Sequence, residues 1–161
     1  MRKEGFIENI PGKGSFVSRI SIQDIREIFE IREILECEVI KRATLKADPG
    51  RVEALRSQFV ASECQNEKTT IGHFKSGDRI HTFIFETIRN NRLLETYKRL
   101  QDHIIRSRIH FFNHSHPVRA EESFKEHLEI LDALAAQDPL RAENAMRNHL
   151  RNSLEYIKKI M

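Results

Sequence analysis

His81, His127 and His149 each fall on the apolar stripe of a separate segment with helical periodicity, and Asp78 stands three residues before the first of them. Side chains three apart on a helix share a face, so Asp78 and His81 project together as a chelating pair must. A single histidine on an apolar helical face reads most simply as a core imidazole hydrogen-bonded to a neighbour. Three of them with a carboxylate read differently, because burying four such groups without a cation leaves several polar atoms to satisfy. One divalent ion satisfies all four. Three nitrogens and one oxygen suit Zn2+, Ni2+, Mn2+ or Fe2+, with zinc the first expectation.

Rival metal patterns are absent. A di-iron bundle needs Glu-x-x-His on two helices, yet the residues three before His127 and His149 are Phe124 and Met146. There is no His-Glu-x-x-His sequence. His110 and His114 are four apart with His116 close by, but they occupy the polar end of a helix before Pro117 and read as solvated. His73 and His103 have no partner pattern and read as surface residues.

The elements that must carry these residues follow from capping and period. Ser21 is a good N-cap with Asp24 at N3, and Ile20 and Ile25 form a hydrophobic staple. The first helix turns Ile25, Ile28, Phe29, Arg32, Leu35, Val39 and Ala43 inward and ends before Asp48-Pro49. That pair opens a second helix, burying Val52, Leu55 and Phe59. A third runs from about Thr70 to Arg89 with Phe74, Asp78, His81, Ile84, Phe85 and Ile88, and Asn90-Asn91 breaks it. The fourth carries Tyr97, Leu100, Ile104, Arg108 and Phe111. The fifth carries Phe124, His127, Leu128, Leu131, Leu134 and Ala135. Asp138-Pro139 then opens a sixth with Ala142, Ala145, Met146, His149, Leu150, Ser153 and Ile157. Six helices joined by short connections predict an all-α, antiparallel six-helix bundle.

The first nineteen residues differ from the rest. Phe6–Ile10 and Ser15–Val17 are short β-prone runs around Pro11-Gly12-Lys13-Gly14, which predicts a β-hairpin. An isolated hairpin is marginally stable in water, so this one is expected to belong to a sheet whose other parts lie outside the sequence. The chain is thus expected to be a piece of something larger.

Composition excludes several classes. The chain has 161 residues, 39% hydrophobic and 32% charged, as in one ordinary globular unit. Its 27 Lys+Arg and 24 Asp+Glu are interleaved, so a net charge of +3 gives no nucleic-acid signature by itself. No run approaches the roughly 18 apolar residues of a membrane span, and the N-terminus lacks a secretory stretch. Residence in the cytoplasm is the expectation. Cys37 and Cys64 have no CxxC spacing and read as buried thiols rather than a disulfide or a nucleophile.

Lys3–Glu8 followed by Pro11-Gly12-Lys13-Gly14-Ser15-Phe16-Val17 resembles the wing of the winged helix-turn-helix in GntR-type regulators. Ile25–Glu36 resembles the first helix of the FCD effector domain in the FadR branch of that family. Asp78 with His81, the Asn91-Arg92-Leu93 break, Glu126-His127 and His149 follow the same domain's pattern. The resemblance covers essentially the whole chain. It implies a wing remnant at 1–19 and an FCD-like domain at 20–161, with Asp78, His81, His127 and His149 binding a divalent metal. It further implies a small carboxylate effector completing the coordination, a homodimer, and operator DNA bound by the full-length protein only. Two departures stand out. The family's acid commonly lies four residues before the first histidine, where this chain has Gly77, and the helix-turn-helix itself is absent.

Arg32 and Arg108 each interrupt an otherwise apolar stripe, and an inward guanidinium fork fits a carboxylate. For Arg32 the competing role is a bond to Glu36 one turn along; for Arg108 it is a snorkelling surface position. Arg2, Lys3, Lys13 and Arg19 are candidates for phosphate contacts from the wing, against a merely solvated hairpin. The leading expectation is the sensor domain of a transcriptional regulator. The alternatives are a metal-dependent hydrolase or lyase, for which no spare inward general base is evident, and a purely structural metal clamp.

Overall fold

The computed structural model describes the backbone of residues 7–10, 12–17, 20–64, 70–111 and 117–160, and the side chains of 12–16, 20–62, 76–107 and 118–160. Two strands and six helices follow in chain order: β1 (Ile7–Ile10), β2 (Gly14–Val17), α1 (Ile22–Thr44), α2 (Pro49–Cys64), α3 (Thr70–Ile88), α4 (Asn91–Phe111), α5 (Pro117–Ala135) and α6 (Pro139–Ile160). The strands form an antiparallel hairpin, Ile7 opposite Val17 and Ile10 opposite Gly14. Gly12 and Gly14 supply its positive φ values, +75° and +97°, which a side chain would oppose.

Each helix begins where its capping chemistry places it. The Ser21 hydroxyl accepts from the Asp24 N–H while the Asp24 carboxylate accepts from the Ser21 N–H, a complete capping box. Asp48 accepts from the Arg51 N–H at 2.9 Å and Asp138 from the Arg141 N–H at 3.0 Å, so both Asp-Pro pairs start helices. Asn90 does the same for α4 through the Leu93 N–H, 3.2 Å away. Helix α3 stops at Arg89 and α5 just before Gln137, each of which takes a left-handed φ, 55° and 52°.

Helix α1 packs chiefly against α6 and α3, and α5 packs against α6. Ile25, Ile40, Ile80, Ile84, Phe85, Ile130, Leu131 and Met146 are fully buried between them. Because α1 is covered on more than one side, its buried face is wider than a single stripe. Glu36, Cys37, Ile40 and Thr44 join it, while Ile28 and Leu35 are only half-buried. Ala135, expected inward, is exposed at the end of α5, and His103 is half-buried rather than on the open surface. The side chains of His73, His110, His114, His116, Phe74, Phe111 and Cys64 lie outside the described residues.

Candidate metal centre

Helices α3, α5 and α6 each bring one histidine to a common point. His81, His127 and His149 are 0%, 5% and 2% exposed, and one nitrogen or more from each lies within 4.8 Å of the others. The ring centroids are 4.2 Å apart for His127 and His149, 5.2 Å for His81 and His149, and 5.4 Å for His81 and His127.

Every ring is oriented by an oxygen on its outer side. His81 Nδ1 lies 2.5 Å from Oε2 of Glu36 on α1. His127 Nδ1 lies 2.7 Å from the Ser123 carbonyl oxygen one turn back on α5. His149 Nδ1 lies 2.8 Å from Oε2 of Glu126, which also accepts from both terminal nitrogens of Arg119 and from the Asn152 amide. Burial would raise the Glu36 carboxyl, but Arg32 and His81 beside it outweigh that and hold it at about 2. Burial likewise opposes ionisation of Glu126, and the bonds from His149 and Arg119 hold that carboxyl at about 2. A carboxylate and a carbonyl only accept, so in the neutral rings each Nδ1 carries the hydrogen. The Nε2 atoms are then three lone pairs facing inward.

Among the described residues His149 Nε2 has no hydrogen-bond partner, and burial pushes that imidazole down to about 4 despite its bond to Glu126. His127 Nε2 faces His81 Nε2 at 3.3 Å. Two nitrogens each 2.0–2.1 Å from a tetrahedral zinc ion sit about 3.3 Å apart, so this pair already spans one edge of such a site. Buried, outwardly hydrogen-bonded imidazoles with converging Nε2 atoms make a donor set that fits a divalent ion.

The structure places the other expected residues unevenly. Asp78 is half-buried on α3, and its carboxylate is not among the donor atoms that lie within 4.8 Å of one another. Arg32 does point inward: its side chain is 1% exposed, Nε donates to Glu36 Oε1 at 2.7 Å, and the guanidinium lies 5.1 Å from the Phe29 ring centroid. Its Nη2 is buried with no hydrogen-bond partner among the described residues. Both roles weighed for Arg32 are thus compatible, the pair with Glu36 using one edge of the fork and leaving a donor over. Lys13 is exposed in the hairpin turn. The side chains of Arg2, Lys3, Arg19 and Arg108 lie outside the described residues.

Glu36, Ser123 and Glu126 were not identified as site residues from sequence. The shorter Ser123 contact is from its backbone carbonyl, which leaves no mark in the residue types, and its hydroxyl lies 3.4 Å from the same nitrogen. Glu126 sits next to His127 and hence off its stripe. Its signals were its place beside His127 in the family pattern and its seven-residue spacing from Arg119, which puts the two on one face of α5.

The FCD domain family matches residues 27–152, and the chain belongs to that family, a domain of GntR-type transcriptional regulators. The HTH-type transcriptional repressor RspR of Escherichia coli K12 is 26% identical over 161 residues, covering 99% of this chain and 70% of the relative. The Uxu operon transcriptional regulator of the same organism is 27% identical over 130 residues, 78% of this chain and 51% of that protein. Among solved structures, E. coli McbR/YncC superposes with a TM-score of 0.86 at 15% identity, covering 98% of this chain and 79% of that one. The Zn2+-bound FCD domain of TM0439 superposes with a TM-score of 0.72 at 18% identity, covering 88% and 96%. These relatives are transcriptional regulators and not enzymes, which sets aside the hydrolase or lyase alternative. No helix among the described residues is long and apolar enough to cross a membrane.

Proposed function

We propose that this domain is the sensing part of a transcriptional regulator, with His81, His127 and His149 holding a divalent metal, zinc first among the choices. One observation carries the reading: three buried imidazoles whose Nδ1 atoms face oxygen acceptors and whose Nε2 atoms converge, that of His149 having no hydrogen-bond partner among the described residues. Neutral nitrogens provide no charge to balance the ion. Arg32 is already balanced by Glu36, and Arg119 by Glu126. A bound divalent ion therefore leaves about two positive charges in a low-dielectric interior, where uncompensated charge is costly. Anionic oxygen is the remedy. Asp78 stays in the proposal as a fourth ligand that the ion would have to draw inward, and a small carboxylate effector supplies the rest.

The spare Nη2 of Arg32 is the donor for that effector, placed beside the carboxylate that orients His81. Arg108 is proposed as a second contact. In the complete regulator, a homodimer binding operator DNA, effector binding would favour one arrangement of the DNA-binding parts through its differential affinity for two states. The proposed division puts a wing remnant at 1–19, with Lys3 and Lys13 near phosphates, and the sensor at 20–161.

The test is calorimetry in two stages, zinc into chelator-treated protein and then hydroxy, keto and sugar acids into the zinc-loaded form. One zinc per chain, followed by saturable heat from at least one acid, is expected. Absence of zinc binding, or silence from every acid, overturns the corresponding half of the reading.

A further inference from the structure

The Glu126 carboxylate on α5 is gripped from two helices. Its Oε1 accepts from Arg119 Nη1 at 2.9 Å and from the Asn152 amide of α6 at 2.8 Å. Its Oε2 accepts from Arg119 Nη2 at 2.8 Å and faces His149 Nδ1 at 2.8 Å. An ionised carboxylate offers about four acceptor positions, and these four contacts occupy them. Arg119 reaches both oxygens, and its Nη2 also donates to Ser153 Oγ, one turn beyond His149 on α6, at 2.9 Å. With its side chain 11% exposed, the guanidinium fork is largely withdrawn from water.

We infer that Arg119 is a positioning residue for the metal centre: its two-pronged grip locks Glu126, and Glu126 fixes the ring and tautomer of His149. The inference rests on the metal reading above. A carboxylate held at one oxygen can pivot, whereas one held at both by a planar guanidinium turns only by breaking two parallel bonds. A lysine ammonium, being a point charge, offers no such fork. With Glu126 fixed, the Nδ1 hydrogen of His149 has its acceptor in one place, and Nε2 keeps its lone pair toward His81 and His127. The Ser153 bond ties the same fork to α6, so the carboxylate and the ring it orients are set in a common register. An arginine that merely joined α5 to α6 would affect stability and leave the ring nitrogens as they are.

Arg119→Ala and Arg119→Lys, each alone and combined with Glu126→Gln, test this by zinc calorimetry and by long-range proton–nitrogen NMR of the His149 ring in chelator-treated protein at neutral pH. Both Arg119 variants should weaken zinc binding about tenfold, the lower end of what loss of an outer partner does, and add little in the Glu126→Gln background. The His149 ring should pass from a single Nδ1–H form in the parent to a mixture of both tautomers. Arg119→Lys keeps the charge and decides the matter if Arg119→Ala does not fold. Zinc affinity within about twofold of the parent in Arg119→Lys overturns the inference. So does an equal loss in both backgrounds, or an unchanged tautomer. If the parent chain binds no zinc, the metal reading fails, and the ring-nitrogen spectra alone still decide whether Arg119 positions His149.

Discussion

His149 and Glu126 are joined across the α5–α6 interface by a 2.8 Å contact from ring Nδ1 to carboxylate, while the opposite nitrogen of the same ring is buried with no hydrogen-bond partner among the described residues. The carboxylate is itself clamped by both terminal nitrogens of Arg119 and by Asn152, so the ring has one orientation and its lone pair one direction. An outer contact of that kind makes a histidine a better ligand by fixing its tautomer and raising its basicity.

Glu126→Gln should therefore leave the bundle folded yet weaken zinc binding by roughly 10–100-fold, the usual effect of losing such an outer partner. Zinc calorimetry on the variant is the check, and circular dichroism should show unchanged helix content. An unaltered affinity would mean that Glu126 only joins α5 to α6.

The Arg32–Glu36 pair predicts an asymmetry in stability. Glu36→Ala strands a fully buried guanidinium and should cost about 3–5 kcal/mol, whereas replacing both residues by leucine should cost much less. For a domain of this size the single change should lower the melting temperature by roughly 10 °C. Calorimetric melting of both variants in chelator separates the two outcomes, and equal losses would contradict the pairing.

Acid should destabilise the metal-free domain in two stages. Burial holds His149 at about 4, below its ordinary 6.5, so the unfolded chain takes the proton first and stability declines as pH falls from 6.5 toward 4. Glu36 and Glu126 sit at about 2, below the ordinary 4.5, so their contribution is present above 4.5 and lost as pH falls from there toward 2. Melting temperatures across pH 3–7 should fall steadily with acidification. A maximum near pH 4 would contradict these assignments.

Cys37 is predicted to be inert. It is 3% exposed beneath an open cleft of about 470 Å³ between α1 and α6, where Glu33 is held by Arg147 and Arg151. Burial pushes its thiol up to about 11. Since the thiolate is the reactive form, labelling by a thiol reagent at pH 7–8 should be slow in the native protein and rapid on unfolding. Fast native labelling would show that the α1–α6 seam opens.

Much of the fold was legible because its signals are local. Ser21-Asp24, Asp48-Pro49 and Asp138-Pro139 cap helices through bonds three residues long, and the 3.6-residue period placed Arg32, His81, His127 and His149 inward. What the sequence withheld depends on contact between helices. Spacing offers Glu36 as a partner for Arg32 one turn along, but its contact with His81 exists only once α3 is packed against α1. Gly77 reads only as a departure from the family's usual acid until the His127 ring is seen lying close against it. Asp78 shows the reverse limit: spacing puts it on the His81 side of α3 but does not say how far its carboxylate reaches.

The claim that bears the rest is that three imidazoles share one ion, and X-ray absorption at the zinc edge on stoichiometrically loaded protein reports it directly. Three imidazole nitrogens at about 2.0–2.1 Å, completed by one or more oxygens, is the expected first shell. A shell containing sulfur, or one with fewer than three imidazoles, would contradict it.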